Sequence, residues 1–327
     1  MHLQPPTSGF VIDGRYQIVD HIASGGVGAI YRAVQQPIGR VVAVKLLSQE
    51  IPPHSNGWDR FRREAQVLSL LRHPHIVSCL DAGAMPNGQP YLIMEYVPGQ
   101  TLSDLLEGEP LSIDEIMAIS RQIALALAGA HAAGITHRDL SPDNVLIDAQ
   151  PGMPRHVRLI DFGLAGLTRA MQSHLGGPDL TAPGTRMGTP WYTPPEQSPG
   201  PKGDLYSLGV IMFEMLTGQV PFSDRDPVAL RMAHTWSAPP EPQSVSTRAL
   251  PPALCALTLA LLAKKPANRP HDAVMVAESI RQLTHAHQPV DEEQTIVEHV
   301  VKGELTEAPS TEFQGLKGLL ARIMGKA

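Results

Sequence analysis

His137-Arg138-Asp139-Leu140-Ser141-Pro142-Asp143-Asn144, followed further on by Asp161-Phe162-Gly163, says more about this chain than any other segment. Asp139 is a carboxylate that can accept a hydroxyl proton. Asn144 and Asp161 offer hard oxygen ligands suited to Mg²⁺, which binds through few protein groups and completes its shell with phosphate and water. A proton acceptor and two such ligands are core equipment for phosphoryl transfer.

Toward the N-terminus, Ala23-Ser24-Gly25-Gly26-Val27-Gly28-Ala29-Ile30 lies between two expected strands. Glycines there let backbone N–H groups approach polyphosphate oxygens. Alone, the segment also fits an ordinary hairpin, and Ala23 stands where G-x-G-x-x-G has its first glycine. A strand follows it, which excludes the dinucleotide-binding version that needs a helix. Val42-Ala43-Val44-Lys45 sets a lysine in an apolar strand, where an unpaired ammonium is costly to bury. Glu64, on the polar side of the helix expected next, can supply the carboxylate, and the pair could hold the α and β phosphates of a nucleotide.

With 327 residues, 43% hydrophobic and 18% charged, the chain is long enough for two cores that share a cleft. A net charge of -6 argues against nucleic acid as a partner, because phosphate binding needs a concentrated excess of Lys and Arg. Cys79 and Cys255 are far apart in apolar contexts and read as reduced thiols. The first residues lack a signal-peptide pattern, and no apolar run reaches the roughly 18 residues of a membrane span, so a cytoplasmic location is expected.

Tyr16–Val19, Ala29–Val34, Val41–Leu47 and Tyr91–Val97 read as strands, with a helix over 58–71 presenting Phe61, Ala65, Leu68 and Leu71 on one face. The remainder is mainly helical. Ser112 and Glu115 form a capping-box pair before a long apolar helix that runs to about Ala133, with Gly134 as its stop. Leu205–Thr217, closed by Gly218, and segments 227–235, 251–263 and 271–284 read as further helices. Ala238–Pro252 reads as an ordered surface connection.

Beyond Leu283 acidic residues dominate, and then Phe313, Leu316, Leu319, Leu320, Ile323 and Met324 recur at helical spacing among Lys317, Arg322 and Lys326. The expected organisation is an N-terminal extension over 1–15, a main domain over 16–284 divided near 97, an acidic flexible tail over 285–312 and a basic amphipathic helix over 313–327. Contact of that helix with an anionic membrane surface is one expectation, and folding back on the domain is another.

Taken in order, these motifs resemble those of protein kinases, and most closely the bacterial serine/threonine kinases of eukaryotic (Hanks) type. The likeness extends through Gly188-Thr189-Pro190-Trp191-Tyr192, Pro194-Pro195-Glu196, Asp204-Leu205-Tyr206-Ser207-Leu208-Gly209 and Pro266-Ala267-Asn268-Arg269-Pro270. It implies an α+β, two-lobed fold, with a small β-rich N-lobe and a larger, mainly helical C-lobe. It also implies ATP with Mg²⁺, or Mn²⁺ in its place, and transfer to protein serine or threonine hydroxyls, including the chain's own. The rival reading is a nucleotide-binding pseudokinase scaffold. A small-molecule phosphotransferase would not need Gly188–Tyr192 or Pro195-Glu196.

By the same resemblance, the turn from Ala23 to Gly28 would cover the phosphates, chiefly through Gly25, Gly26 and Gly28. Ile30, Ala43 and Leu146 would sandwich adenine, whose edge would meet the backbone of Glu95–Val97. Lys45 with Glu64 would orient phosphates, Asp139 would be the proton acceptor, and Asn144 and Asp161 would hold metal. Glu196 with Arg269, and Asp204, would be structural. Thr181 and Thr185 are candidate phosphorylation sites whose phosphate Arg138 could pair with. Thr295, in an acidic setting, is a third, of the kind a forkhead-associated module reads. A protein phosphatase is the other partner implied. Three positions depart from the family pattern: Ala23, the short link Gln197–Gly203, and Ser141 where relatives usually carry lysine.

Overall fold

Arg40–Leu47 is apolar on both faces because it ends up in the middle of a sheet that is covered on both sides. The computed structural model describes residues 6–25, 28–48, 56–148, 155–162, 190–196 and 200–287. Its first layer is a six-stranded antiparallel sheet of β1 (Val11–Ile12), β2 (Tyr16–Gly25), β3 (Gly28–Gln35), β4 (Arg40–Leu47), β5 (Cys79–Ala84) and β6 (Pro90–Glu95), ordered β1-β2-β3-β4-β6-β5. Successive side chains alternate between faces. Val42, Val44 and Leu46 therefore join Ile12, Tyr16, Tyr31 and Ile93 in one core, while Ala43 and Lys45 point to the other face. On that second side α1 (Asn56–Leu70) packs Phe61 and Ala65 against Leu47 and Leu92.

Helices and a small second sheet build the larger layer. The sheet joins β7 (Gln100–Thr101), β8 (Val145–Asp148) and β9 (His156–Leu159). The helices are α2 (Leu102–Leu106), α3 (Ile113–Ala132), α4 (Pro201–Thr217), α5 (Pro227–Trp236), α6 (Pro242–Val245), α7 (Pro252–Leu261) and α8 (Ala273–His287). Ser112 caps α3 through a reciprocal box with Glu115, and Gly134 just beyond it adopts φ +74°. α4 is buried nearly all round from Gly203 to Leu216, as expected of a helix apolar on every face at the centre of a domain. Its neighbours α3 and α7 contribute Ile119, Ile123, Leu254 and Leu261 to one continuous core.

The two-lobed α+β architecture agrees with the sequence expectation, with differences at element ends. β2 continues to Gly25 through exposed residues because its pairing with β3, and not burial, specifies it. β6 stops at Glu95, two residues before Val97. α4 starts at Pro201, whose fixed φ suits a first helical position, whereas the apolar period begins only at Leu205. α6 lies inside the proline-rich connection.

Residues 1–283 form one compact unit. Of the second, 284–327, only the end of α8 is described. The expected acidic tail and basic helix lie outside the described residues. Among the described residues no helix is long and apolar enough to cross a membrane, and both cysteines are free.

Candidate active site

Lys45 reaches the cleft because β4 presents it on the same face as Ala43 and opposite Ile30 of β3. It is 5% exposed, and its Nζ donates to Asp161 Oδ2 at 2.5 Å. A buried ammonium needs such a counter-charge. Glu64 belongs to α1, but its side chain lies outside the described residues, so Asp161 is the partner of Lys45 described in this structure. Asp161 follows β9 with φ +64°, a left-handed conformation uncommon for a non-glycine residue. That turn leaves its Oδ1 buried without a hydrogen-bond partner among the described residues.

The loop from His137 to Asn144 is fixed from below by α4. Asp204, 1% exposed, accepts from the backbone N–H of His137 at 2.8 Å and of Arg138 at 2.9 Å, and its Oδ2 lies 2.8 Å from His131 Nε2. Arg138 has φ +69°, and the two N–H bonds hold that turn. His137 is fully buried, with Nε2 3.0 Å from the Ile160 carbonyl and its ring against Phe162. Asp139 is half-buried. Burial raises its pKa above the ordinary carboxylate range, the Asp161 charge adds to this, and His137, Lys45 and Asn144 oppose it.

Asn144 Nδ2 donates to the Asp139 carbonyl at 2.7 Å. With the nitrogen end engaged, the amide oxygen is the end left for a cation. An orphaned buried carboxylate oxygen on Asp161 and an amide oxygen on Asn144 form a hard donor set that fits a divalent metal.

Along the same cleft, Ile30, Glu95, Val97 and Leu146 are half-buried and Ala43 is buried. In the hairpin, Ala23, Ser24 and Gly25 on β2 face Ile30, Ala29 and Gly28 on β3, while Gly26 and Val27 lie outside the described residues. A Cβ on Gly28 would fall 2.0 Å from the Leu46 carbonyl oxygen, so only glycine allows β3 to run this close to β4. Ser141 is buried, and its carbonyl accepts from Asn144 N at 3.0 Å.

On the opposite side of the loop, Arg269 forks onto Glu196 with bonds of 2.7 and 2.8 Å, and Arg231 donates to the carbonyls of Pro194 and Pro195. Tyr192 donates to Glu214 at 2.6 Å. Thr181, Thr185, Thr295 and the segment 163–189 lie outside the described residues.

Sequence reasoning missed His131 on Asp204, the Tyr192–Glu214 bond and an ion pair between Arg158 of β9 and Glu95 at the end of β6. A charged residue in a four-residue strand is too brief a signal to mark a partner in another lobe.

The comparisons with known proteins agree with this geometry. A Myxococcus xanthus protein named serine/threonine-protein kinase pkn3 is 37% identical over 271 residues, covering 81% of this chain and 49% of its own length. Serine/threonine-protein kinase A of Synechocystis is 35% identical over 287 residues, covering 83% of this chain and 53% of the relative. The chain thus spans about half the length of these relatives, or less for others. The crystal structure of the Mycobacterium tuberculosis PknI kinase domain superposes with a TM-score of 0.64 at 24% identity, covering 85% of this chain and 99% of that one, which speaks to fold. The family description "Protein kinase domain" matches residues 16–285, most of the chain, and with that the chain belongs to the protein kinase family, whose members use ATP and a divalent metal.

Proposed function

We propose that the chain is a serine/threonine protein kinase that transfers the γ-phosphoryl group of ATP to protein hydroxyls and to itself. The observation that carries this reading is the convergence of Lys45 and Asp161 at 2.5 Å, close enough to Asp139 for both charges to act on it. In the proposed reaction, Asp139 accepts the proton of a serine or threonine hydroxyl. The hydroxyl oxygen forms a bond to the γ-phosphorus, the bond to the β–γ bridging oxygen breaks, and ADP leaves. Lys45, with Glu64, would neutralise phosphate oxygens, and Ala23–Gly28 would cover them. Ile30, Ala43 and Leu146 would enclose adenine against the backbone of Glu95 and Val97. Asn144 and Asp161 would hold Mg²⁺, which supplies charge neutralisation at the phosphates, and Mn²⁺ offers the same coordination chemistry. Glu196 with Arg269 would brace the protein-acceptor side, and Asp204 would anchor the loop that carries Asp139.

Retention of Asp139 supports an enzyme over a scaffold, because nucleotide binding alone needs no proton acceptor. Thr181, Thr185 and Thr295 are the proposed acceptors within the chain, with Thr295 offered to a phosphothreonine-reading module and a phosphatase resetting it. The protein would act in the cytoplasm, where ATP is supplied and free cysteines stay reduced. The division into an N-terminal extension over 1–15, a kinase domain over 16–284, an acidic tail over 285–312 and a basic amphipathic helix over 313–327 is part of this proposal. Intact-mass measurement of the protein incubated with Mg²⁺-ATP should find added phosphates on the wild type and none on Asp139→Asn. A wild type that binds nucleotide yet gains no phosphate would return the scaffold reading.

A further inference from the structure

Arg158 is a cation held at 15% exposure in the four-residue strand β9, with its Nε buried and without a hydrogen-bond partner among the described residues. Its Nη2 meets the Glu95 carboxylate, itself 32% exposed. Among the described residues Glu95 is the only carboxylate within ion-pair distance of Arg158. Burial holds the His75 imidazole below the usual range, and the charges of His156, His73 and, least of the three, Arg158 add to this. The pair is open to water on the Glu95 side, and ion pairs that solvent reaches are worth only about 0–1 kcal/mol to folding. Stability does not explain why the pair is there.

Position explains it better. Glu95 is the last residue of β6, and the next residues, Tyr96 and Val97, carry the backbone proposed to receive adenine. Arg158 stands opposite Leu146, the proposed floor of the adenine site, in the β8–β9 ladder. Three residues beyond Arg158 the chain reaches Asp161. Along the way β9 is tied down at every step: Leu159 N donates to His75 O at 2.9 Å, Val77 N to Leu159 O at 2.9 Å, and Ile160 N to Asn144 O at 3.0 Å. The side chain of Glu95 is therefore fastened to the strand that delivers Asp161 and lines up with Asn144.

We propose that Arg158 is a positioning residue for the nucleotide: by holding Glu95 it fixes the spacing between the backbone that receives the base and the carboxylate that faces the phosphates. The inference rests on the ATP reading of the cleft. Its consequence is a chelate effect, in which a ligand engaging both ends gains from the fixed spacing and a ligand engaging one end does not.

The 327-residue chain is titrated calorimetrically with ATP, adenosine and inorganic tripolyphosphate, each with Mg²⁺. Arg158→Met should weaken ATP about tenfold, within the usual range of coupling between sites. Adenosine and tripolyphosphate should move less than about twofold, as for uncoupled positions. The melting temperature should hold or rise. Arg158→Lys, which keeps the cation, should recover part of the ATP affinity. Glu95→Gln should match Arg158→Met, and the double variant should be no worse than either. Unchanged ATP affinity in Arg158→Met, equal weakening of all three ligands, or additive effects in the double variant would each overturn the inference. Phosphate gain by the wild type is recorded in parallel. A wild type that binds ATP without transferring phosphate sinks the kinase reading while the spacing test still stands, and one that binds no ATP overturns both.

Discussion

Ser141 removes a cation from a loop whose other members are in place. Its side chain is buried beside Asn144, in a position where a lysine would add a charged hydrogen bond worth about 1.5–3 kcal/mol. Ser141→Lys should therefore speed phosphate transfer on the order of 10- to 100-fold, read as initial rates with labelled ATP, and should change nothing if the loop is catalytically dead. His234 carries a separate prediction about folding. Burial keeps its imidazole neutral, with a pKa lowered to about 4, and the Tyr206 hydroxyl lies 2.8 Å from Nδ1. The unfolded chain binds that proton at about pH 6.5. Stability contributed by neutral His234 is thus complete above about pH 6.5 and is lost as pH falls toward 4, on the order of 2 to 3 kcal/mol. Denaturant melts of His234→Gln from pH 7 to pH 5 should show a shallower loss than the wild type.

Asp204 shows what an element does for a site. It sits in the first turn of α4 and holds two backbone N–H groups of the loop, one of them at the left-handed Arg138. Asp204→Ala would leave those donors buried and unpaired, at a cost of about 3 kcal/mol in denaturant unfolding, whereas Asp204→Asn keeps an acceptor and should cost less. The helices that carried their own punctuation were legible in the sequence: α3 through Ser112, Glu115 and Gly134, and α4 through Gly218. β5 was not, because Cys79–Ala84 mixes an aspartate and a glycine into a strand defined by its ladder with β6. β8 and β9 are four residues each and acquire their identity only from pairing with one another. α2 announced itself with the same box as α3, Thr101 with Asp104, and went unread because it lasts a single turn or so.

For the whole molecule, the order of the motifs along the chain made the fold and the family legible. The chain could not reveal which side chains from distant segments would meet. Lys45 illustrates the difference: its need for an anion was plain from Val42-Ala43-Val44, but the anion described here, Asp161, is supplied from 116 residues away. The core around α3, α4 and α7 closes within 1–283, so a chain ended after His287 should keep the melting temperature and nucleotide affinity of the 327-residue chain in calorimetry, while losing the acceptor Thr295 and the helix proposed over 313–327. One oxygen of Asp161 has a different consequence. Among the described residues it has nothing to accept from, and it lies buried next to an ammonium already committed to its twin. A cation that binds the folded chain and not the unfolded one raises its stability, so thermal unfolding can serve as a sensor of cation preference. At a hundred times its dissociation constant a bound ion adds about 2.7 kcal/mol. Ranking Mg²⁺, Mn²⁺ and Ca²⁺ by the melting shift each produces would reveal the preferred guest before any phosphate has moved, and Asp161→Asn should flatten the ranking.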